Sequence, residues 1–298
     1  MEIFTGSAVA LITPFKEDGQ VDWPAFDDLI NFHLDNQTDA LVITGTTGEV
    51  STLTDQEQIA LIARAVTLVE GRIPVIAGTG INDTLHSIYL SQEAEKVGAD
   101  ALLLVTPYYN KGNHQGLLRH FTAIADAVNI PVILYDVPGR TGVGLTVDQV
   151  VTLSQHPNIQ AIKDARGDMD HTRTLATALD LEKFAIYSGN DDLIYDVLEA
   201  GGKGVISVLA NVAPKETHDL CQAYLSGSTS QAKALQDQLA SLIDALFVEV
   251  NPIPVKYLSH LLGWNENAYR LPLWEPSDQV KELLRQHLPA LNHYQKEQ

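Results

Sequence analysis

The chain has 298 residues, with 19 basic and 38 acidic side chains and a formal net charge of −19. This acidic excess argues against nucleic acid and anionic membranes as partners, because both attract basic patches. With 45% hydrophobic residues the chain has enough apolar material for a core. Its length suits one large domain or two ordinary ones.

The N-terminal residues lack the charged segment and long apolar run of a signal peptide. No apolar stretch reaches the roughly 18 residues that a helix needs to span a bilayer. A single cysteine, Cys221, excludes an intramolecular disulfide. We therefore expect a cytoplasmic protein.

Short apolar runs rich in Val, Ile and Leu alternate with longer amphipathic segments along most of the chain. The runs are continuous, as in parallel strands that are buried on both faces, and they lie at 8–13, 40–44, 74–78, 101–106, 131–137, 159–163, 184–188 and 204–208. Helical patterns follow them at 23–34, 56–69, 84–97, 116–128, 147–154, 169–179, 192–199 and 214–225. The segment Thr54-Asp55-Gln56-Glu57 predicts a capping box before the second helix.

Eight strand–helix pairs predict a (β/α)₈ TIM barrel, and a doubly wound open sheet is the alternative. After about residue 227 the apolar runs stop. Helical patterns at 231–248, 254–262 and 276–288 then predict a C-terminal extension. We expect a barrel over 1–226 and a three-helix region, packed on the barrel, over 227–298.

The active site of such a barrel lies at the C-terminal ends of its strands. Lys163 ends the sixth run, and lysine is rarely fully buried unless it is paired or functional. Burial disfavours the charged form of an amine, and the neutral form is a nucleophile. Taken alone, Lys163 fits an ordinary surface lysine, or one that pairs with Asp164, at least as well.

Other strand ends place complementary groups on the same rim. Residues 45–48 offer backbone N–H groups and two hydroxyls that suit an anion, and Arg140 offers a fork for a carboxylate. The hydroxyls of Thr46 and Tyr135 suit proton transfer. Each residue alone has an ordinary structural explanation, but together they favour an imine-forming enzyme that acts on acidic substrates.

Templates for other chemistries are absent from the sequence. There is no His-Glu-x-x-His, no cysteine pair and no Gly-Lys-Ser/Thr loop. The pair Gly78 and Gly80 lacks a third glycine, because Asp83 occupies that position. We expect neither a metal ion nor a cofactor.

Six motifs, in order and spacing, resemble those of the 4-hydroxy-tetrahydrodipicolinate synthase (dihydrodipicolinate synthase) family of pyruvate-dependent class I lyases. The N-acetylneuraminate lyases belong to the same superfamily. The motifs include Gly-Thr-Thr-Gly-Glu and Asn-Pro-Ile-Pro-Val-Lys, and they lie at 45–49, 107–110, 135–141, 162–165, 204–207 and 251–256. The resemblance runs from the first strand through the C-terminal helices.

The resemblance implies that Lys163 forms a Schiff base with pyruvate. The derived enamine attacks L-aspartate 4-semialdehyde and yields 4-hydroxy-tetrahydrodipicolinate, the first committed step of the diaminopimelate and lysine pathway. Thr46, Tyr135 and Tyr109 would relay protons, with Tyr109 supplied by a neighbouring subunit of a homotetramer built as a dimer of dimers.

The resemblance also assigns substrate-binding and regulatory positions. Thr46 and Thr47 would hold the pyruvate carboxylate and Arg140 that of the semialdehyde, and two residues near the lysine complete the binding site: Gly189 and Ile206. Asn82 and Tyr108 would belong to a regulatory site for lysine. Because His86 stands where a glutamate is expected there, we predict weak or absent feedback inhibition.

The chain departs from the family pattern at two positions. Asp136 replaces an asparagine, and Arg166 replaces a serine or threonine. Arg166 either alters the end of the pocket that receives the acidic substrate or points to solvent.

Two other functions remain as alternatives. The first is a sibling lyase, such as N-acetylneuraminate lyase or a 2-keto-3-deoxy sugar acid aldolase, which Arg140 disfavours. The second is a catalytically silent barrel, which Lys163 and the tyrosines disfavour.

Overall fold

The computed structural model describes residues 3–296, and in that range eight parallel strands close into a barrel in chain order. The strands are β1 (Gly6–Ala10), β2 (Ala40–Ile43), β3 (Val75–Gly78), β4 (Ala101–Val105), β5 (Val132–Asp136), β6 (Ile159–Asp164), β7 (Ala185–Ser188) and β8 (Gly204–Ser207). The predicted (β/α)₈ barrel is confirmed.

Helices surround the barrel and continue beyond it. The barrel helices are α1 (Trp23–Asp35), α2 (Asp55–Val69), α3 (Thr84–Lys96), α4 (His114–Asp126), α5 (Pro138–Thr141), α6 (Val147–Leu153), α7 (Met169–Ala178), α8 (Ile194–Glu199) and α9 (Pro214–Leu225). The later helices are α10 (Thr229–Phe247), α11 (Ile253–Leu261), α12 (Asp278–Arg285) and α13 (Leu288–Leu291).

The inside of the barrel is a packed core, because alternate strand residues point inward. These inward residues include Ala8, Ile133, Ala161 and Tyr187, and all of them are buried. The ring of Phe4 stacks on that of Tyr187, with centroids 4.1 Å apart. The remaining space for chemistry lies at the C-terminal ends of the strands.

Local hydrogen bonds explain where the elements begin and end. The predicted capping box is confirmed, since Thr54 and Glu57 each accept from the other's backbone N–H. Strand β1 ends at Ala10, three residues earlier than predicted. The Asn211 side chain donates to Ala10 O at 2.9 Å and accepts from Ile12 N at 3.0 Å, which replaces the hydrogen bonds of a neighbouring strand.

The C-terminal region is helical, but the helix predicted over 276–288 ends at Arg285, and the short α13 follows from Leu288. Pro289 lies in the first turn of α13. Proline removes a backbone donor and clashes with the preceding turn, so the longer helix cannot pass through it. The division of the chain at residue 227 stays a prediction. Among the residues described, no helix combines the length and apolarity needed to cross a bilayer.

Candidate active site

Lys163 lies inside the C-terminal mouth of the barrel. Its register partners are Tyr135 on β5 and Tyr187 on β7, and it is only 5% exposed. The ammonium nitrogen lies 4.4 Å from the centroid of the Tyr135 ring. Such a cation–π contact stabilises the charged form of the lysine. It involves no hydrogen bond, so after loss of a proton the lone pair of the amine is free to attack.

A second buried lysine, Lys256 on α11, is held in a different way. Its Nζ is bound by the Glu49 carboxylate, and neither side chain has access to solvent. Burial lowers the pKa of Lys256 to about 8, although the Glu49 charge opposes the shift. Within residues 3–296 no hydrogen bond or ion pair engages Lys163 Nζ. Of these two buried lysines, Lys163 is thus the one whose amine has no hydrogen-bond or ion-pair partner in the described part of the chain.

The turn at residues 45–49 presents donors to the same mouth. Gly48 N–H and Glu49 N–H close the turn on the carbonyls of Gly45 and Thr46, at 3.0 and 3.1 Å. In the described part of the chain, the N–H groups of Thr46 and Thr47 have no acceptor. Two adjacent donors without partners suit a carboxylate oxygen.

Arg140 follows β5 on the short helix α5, and its side chain is exposed. Its Nη2 donates to Asn251 O at 3.0 Å, while Asn251 Nδ2 donates to Thr47 Oγ1 at 3.0 Å. The segment before α11 therefore links the arginine to the 45–49 turn. The motif at 251–256 contains Asn251, but the sequence does not indicate that this residue touches both sides of the site.

Asp191, just beyond β7, is a site residue that the sequence analysis missed. Its buried carboxylate accepts from Ser207 Oγ at 2.5 Å and from the N–H groups of Val208 and Leu209 at 3.0 and 2.9 Å. Burial raises the pKa of Asp191, while these bonds and the Lys163 charge oppose the shift. Asp191 is therefore a buried carboxylate in the electrostatic range of Lys163. In the sequence, the only indication that Asp191 lies near Lys163 is its position directly after a predicted strand.

A cleft of about 390 Å³ opens beside the strand ends. Its lining includes Thr46, Arg140 and Tyr108. Tyr109 does not line it, because its side chain is 89% exposed on a left-handed backbone with φ of 72°. Asn82 contributes its carbonyl oxygen to Asn110 Nδ2 at 2.8 Å.

Ile206 and Gly189 lie at neighbouring strand ends. Ile206 is a buried residue of β8, opposite Ala8 in the register. Gly189 donates its N–H to Asp164 O at 2.7 Å. A Cβ atom at Gly189 would lie 2.4 Å from Ala165 Cβ and 2.9 Å from Ala165 Cα. The close approach of β6 and β7 therefore requires glycine at this position.

Replacing Gly189 by alanine is expected to destabilise the protein by about 1–3 kcal/mol, because a rigid backbone must move. It should also lower activity, since Ala165 lies two residues from Lys163. Gly139→Ala is the matched control, because no atom lies within 4 Å of its added Cβ. Urea unfolding and steady-state kinetics of both variants test this, and equal stability of the two would contradict it.

Arg166 does not extend freely into solvent. Its side chain is 25% exposed, and Nη2 lies 2.7 Å from Asp136 Oδ2. The two residues that depart from the family pattern thus contact each other.

The chain is similar to known proteins over nearly its whole length. The model of the dihydrodipicolinate synthetase family matches residues 3–291. A 4-hydroxy-tetrahydrodipicolinate synthase from Caldicellulosiruptor saccharolyticus is 49% identical over 288 residues, which are 97% of each chain.

Solved structures give the same result. Dihydrodipicolinate synthase from Aquifex aeolicus has a TM-score of 0.96 at 45% identity, covering 99% of this chain and 100% of its own. The chloride-inhibited enzyme from Acinetobacter baumannii, complexed with pyruvate, has a TM-score of 0.95 at 45% identity, covering 98% and 99%. The chain therefore belongs to the dihydrodipicolinate synthetase family, and it is an enzyme, a lyase of the 4-hydroxy-tetrahydrodipicolinate synthase type.

Proposed function

We propose that the protein condenses pyruvate with L-aspartate 4-semialdehyde to give 4-hydroxy-tetrahydrodipicolinate in diaminopimelate and lysine biosynthesis. The observation that carries this proposal is Lys163, a buried lysine without an ion pair at the mouth of the barrel. Such an amine can attack a ketone, and the pyruvate complex of the Acinetobacter baumannii relative supports a keto acid as its target.

In the proposed reaction the Lys163 amine adds to the pyruvate ketone and water leaves, which forms the imine. Loss of a methyl proton gives the enamine, whose carbon forms a bond to the aldehyde carbon of the second substrate. The amino group of that substrate then attacks the imine carbon and displaces Lys163, which closes the ring. Condensation of the two substrates thus releases one water molecule.

The neighbouring groups have complementary roles in this proposal. The free N–H groups of Thr46 and Thr47 would bind the pyruvate carboxylate, and Arg140 would bind that of the semialdehyde. The hydroxyls of Tyr135 and Thr46 would transfer protons together with Tyr109. Gly189 and Ile206 would shape the floor around the imine.

In the single chain the Tyr109 side chain points into solvent and is 89% exposed. It can take part in the reaction only if it enters the active site of a neighbouring subunit. Two further apolar side chains, Leu85 and Tyr89 on α3, are 79% and 45% exposed. We propose that these exposed apolar side chains meet a second copy of the chain, within a homotetramer that is a dimer of dimers. We also propose a cytoplasmic location.

The regulatory assignment of Asn82 and Tyr108 stays a proposal. In the cleft, His86 Nε2 lies 3.0 Å from both carboxylate oxygens of Asp55. A lysine ligand needs a free carboxylate for its ammonium group, and here His86 engages that carboxylate. We expect no inhibition by lysine below about 1 mM, and a clear submillimolar inhibition curve would contradict this.

Trapping with borohydride tests the proposed function. The protein is incubated with pyruvate, reduced and digested, and the expected adduct is located on Lys163 by mass spectrometry. An adduct on another lysine would reject Lys163 as the nucleophile, and the absence of any adduct would reject an imine mechanism. Aspartate semialdehyde is then compared with sugar aldehydes as acceptor, and a preference for a sugar aldehyde would favour the sibling lyases instead.

A further inference from the structure

Asp136 and Arg166 form one unit at the ends of β5 and β6. Arg166 Nη2 lies 2.7 Å from Asp136 Oδ2 and 2.8 Å from Leu145 O. Leu145 N–H donates in turn to Asp136 Oδ1 at 3.2 Å. These charge-assisted hydrogen bonds join three segments: two strand ends and the loop that precedes α6.

The Asp136 carboxylate depends on this arginine. Its side chain is fully buried, and burial raises the pKa of Asp136 while the Arg166 charge opposes the shift. A buried carboxylate without a partner costs folding free energy, so its guanidinium partner cannot be removed alone without a penalty. Asp136 and Arg166 therefore stabilise each other in the folded protein.

The pair lies beside the residues that carry the proposed chemistry. Asp136 directly follows Tyr135, and Arg166 is three residues beyond Lys163. A Cβ atom at Gly144 would lie 2.6 Å from Arg166 Nη2, so the guanidinium group occupies the space that this glycine leaves open. Arg166 thus holds the C-terminal end of the connection between β5 and α6. This connection, the loop at 137–145, contains the short helix α5.

We propose that Arg166, through Asp136 and Leu145, is a positioning residue that fixes the loop at 137–145 on β5 and β6. That loop carries Arg140, so the pair sets the place at which the carboxylate of the second substrate binds. The inference rests on the proposed function, in which Arg140 binds the second substrate and Lys163 reacts with the first.

A double-mutant cycle tests the proposal with Arg166→Met, Asp136→Asn and the combined variant. Arg166→Met is expected to raise the KM for aspartate semialdehyde by about tenfold, because Asp136 loses its partner and the loop loses its anchor. The KM for pyruvate should stay within about twofold of the wild-type value, since the 45–49 turn is untouched. The combined variant should recover most of the loss, because a neutral amide at position 136 needs no guanidinium and can still accept the hydrogen bond from Leu145 N–H.

The control is Arg173→Met, which removes an exposed arginine on α7 with only a 3.6 Å contact to Asp170. Its kinetics should match the wild type. If Arg166→Met does not fold, Arg166→Lys replaces it in the comparison. A higher KM for the semialdehyde in Arg166→Lys, together with a near wild-type KM in the combined variant, supports a positioning role for Arg166.

Two results would overturn the proposal. If the combined variant is as impaired as Arg166→Met, the arginine does not act through Asp136. If both KM values rise together, the pair has only a structural role. Failure of the wild type to form the pyruvate adduct would instead reject the proposed function.

Discussion

Replacing Lys163 by methionine is expected to lower kcat/KM by at least about 10³-fold, because the covalent step loses its only nucleophile. The variant should still fold, since Lys163 Nζ makes no hydrogen bond or ion pair within residues 3–296 that the substitution would break. Steady-state kinetics, borohydride trapping and circular dichroism of the variant measure these effects.

The matched control for that variant is Lys183→Met. Lys183 is a surface lysine before β7, with a side chain 83% exposed. Its removal should leave both activity and pyruvate trapping at wild-type levels. Residual trapping in Lys163→Met, at another lysine, would show that the imine forms elsewhere.

Replacing Lys256 by methionine is expected to destabilise the protein by about 3–5 kcal/mol, because it leaves the Glu49 carboxylate buried without its partner. Arg270 N–H would still donate to Glu49 Oε2 at 3.2 Å, which compensates only in part. Chemical denaturation measures the change. The double variant Lys256→Met/Glu49→Gln should regain most of the lost stability, because no buried charge then remains.

The control here is Lys233→Met, which removes an exposed partner of Asp237 on α10. Exposed pairs of this kind contribute little to stability, so no measurable change is expected. An unfolding free energy of Lys256→Met that equals the wild-type value would show that water reaches Glu49. The folded fraction of this variant should keep its condensation activity, because the proposed nucleophile is Lys163 and not Lys256.

Periodicity predicted most of the fold. Continuous apolar runs followed by amphipathic segments identified the eight strands, although the boundaries moved where a side chain interfered. Asn211 replaces strand hydrogen bonds where β1 ends early, and the helix predicted over 276–288 ends at Arg285, four residues before Pro289. The ends of strands and helices depend on individual side-chain contacts, and the hydrophobic pattern of a sequence does not reveal those contacts.

The site was predicted in its residue types but not in its internal pairing. Strand ends placed Lys163, Tyr135 and Thr46 on one rim because parallel strands all end on the same side of a barrel. Asp191 was missed, since an aspartate after a strand resembles a surface turn residue until its burial is known. Asp164, which one alternative paired with Lys163, instead accepts a hydrogen bond from Thr172 Oγ1 at 2.8 Å.

The sequence by itself determined the barrel, the rim and the family, because local periodicity and ordered motifs are properties of neighbouring residues. Only the tertiary structure decided which buried lysine is unpaired and what Arg166 contacts. Lys256 meets Glu49 across 207 positions and Arg166 meets Asp136 across 30. Pairs so far apart form through strand register and helix packing, so they are visible only once the chain has folded.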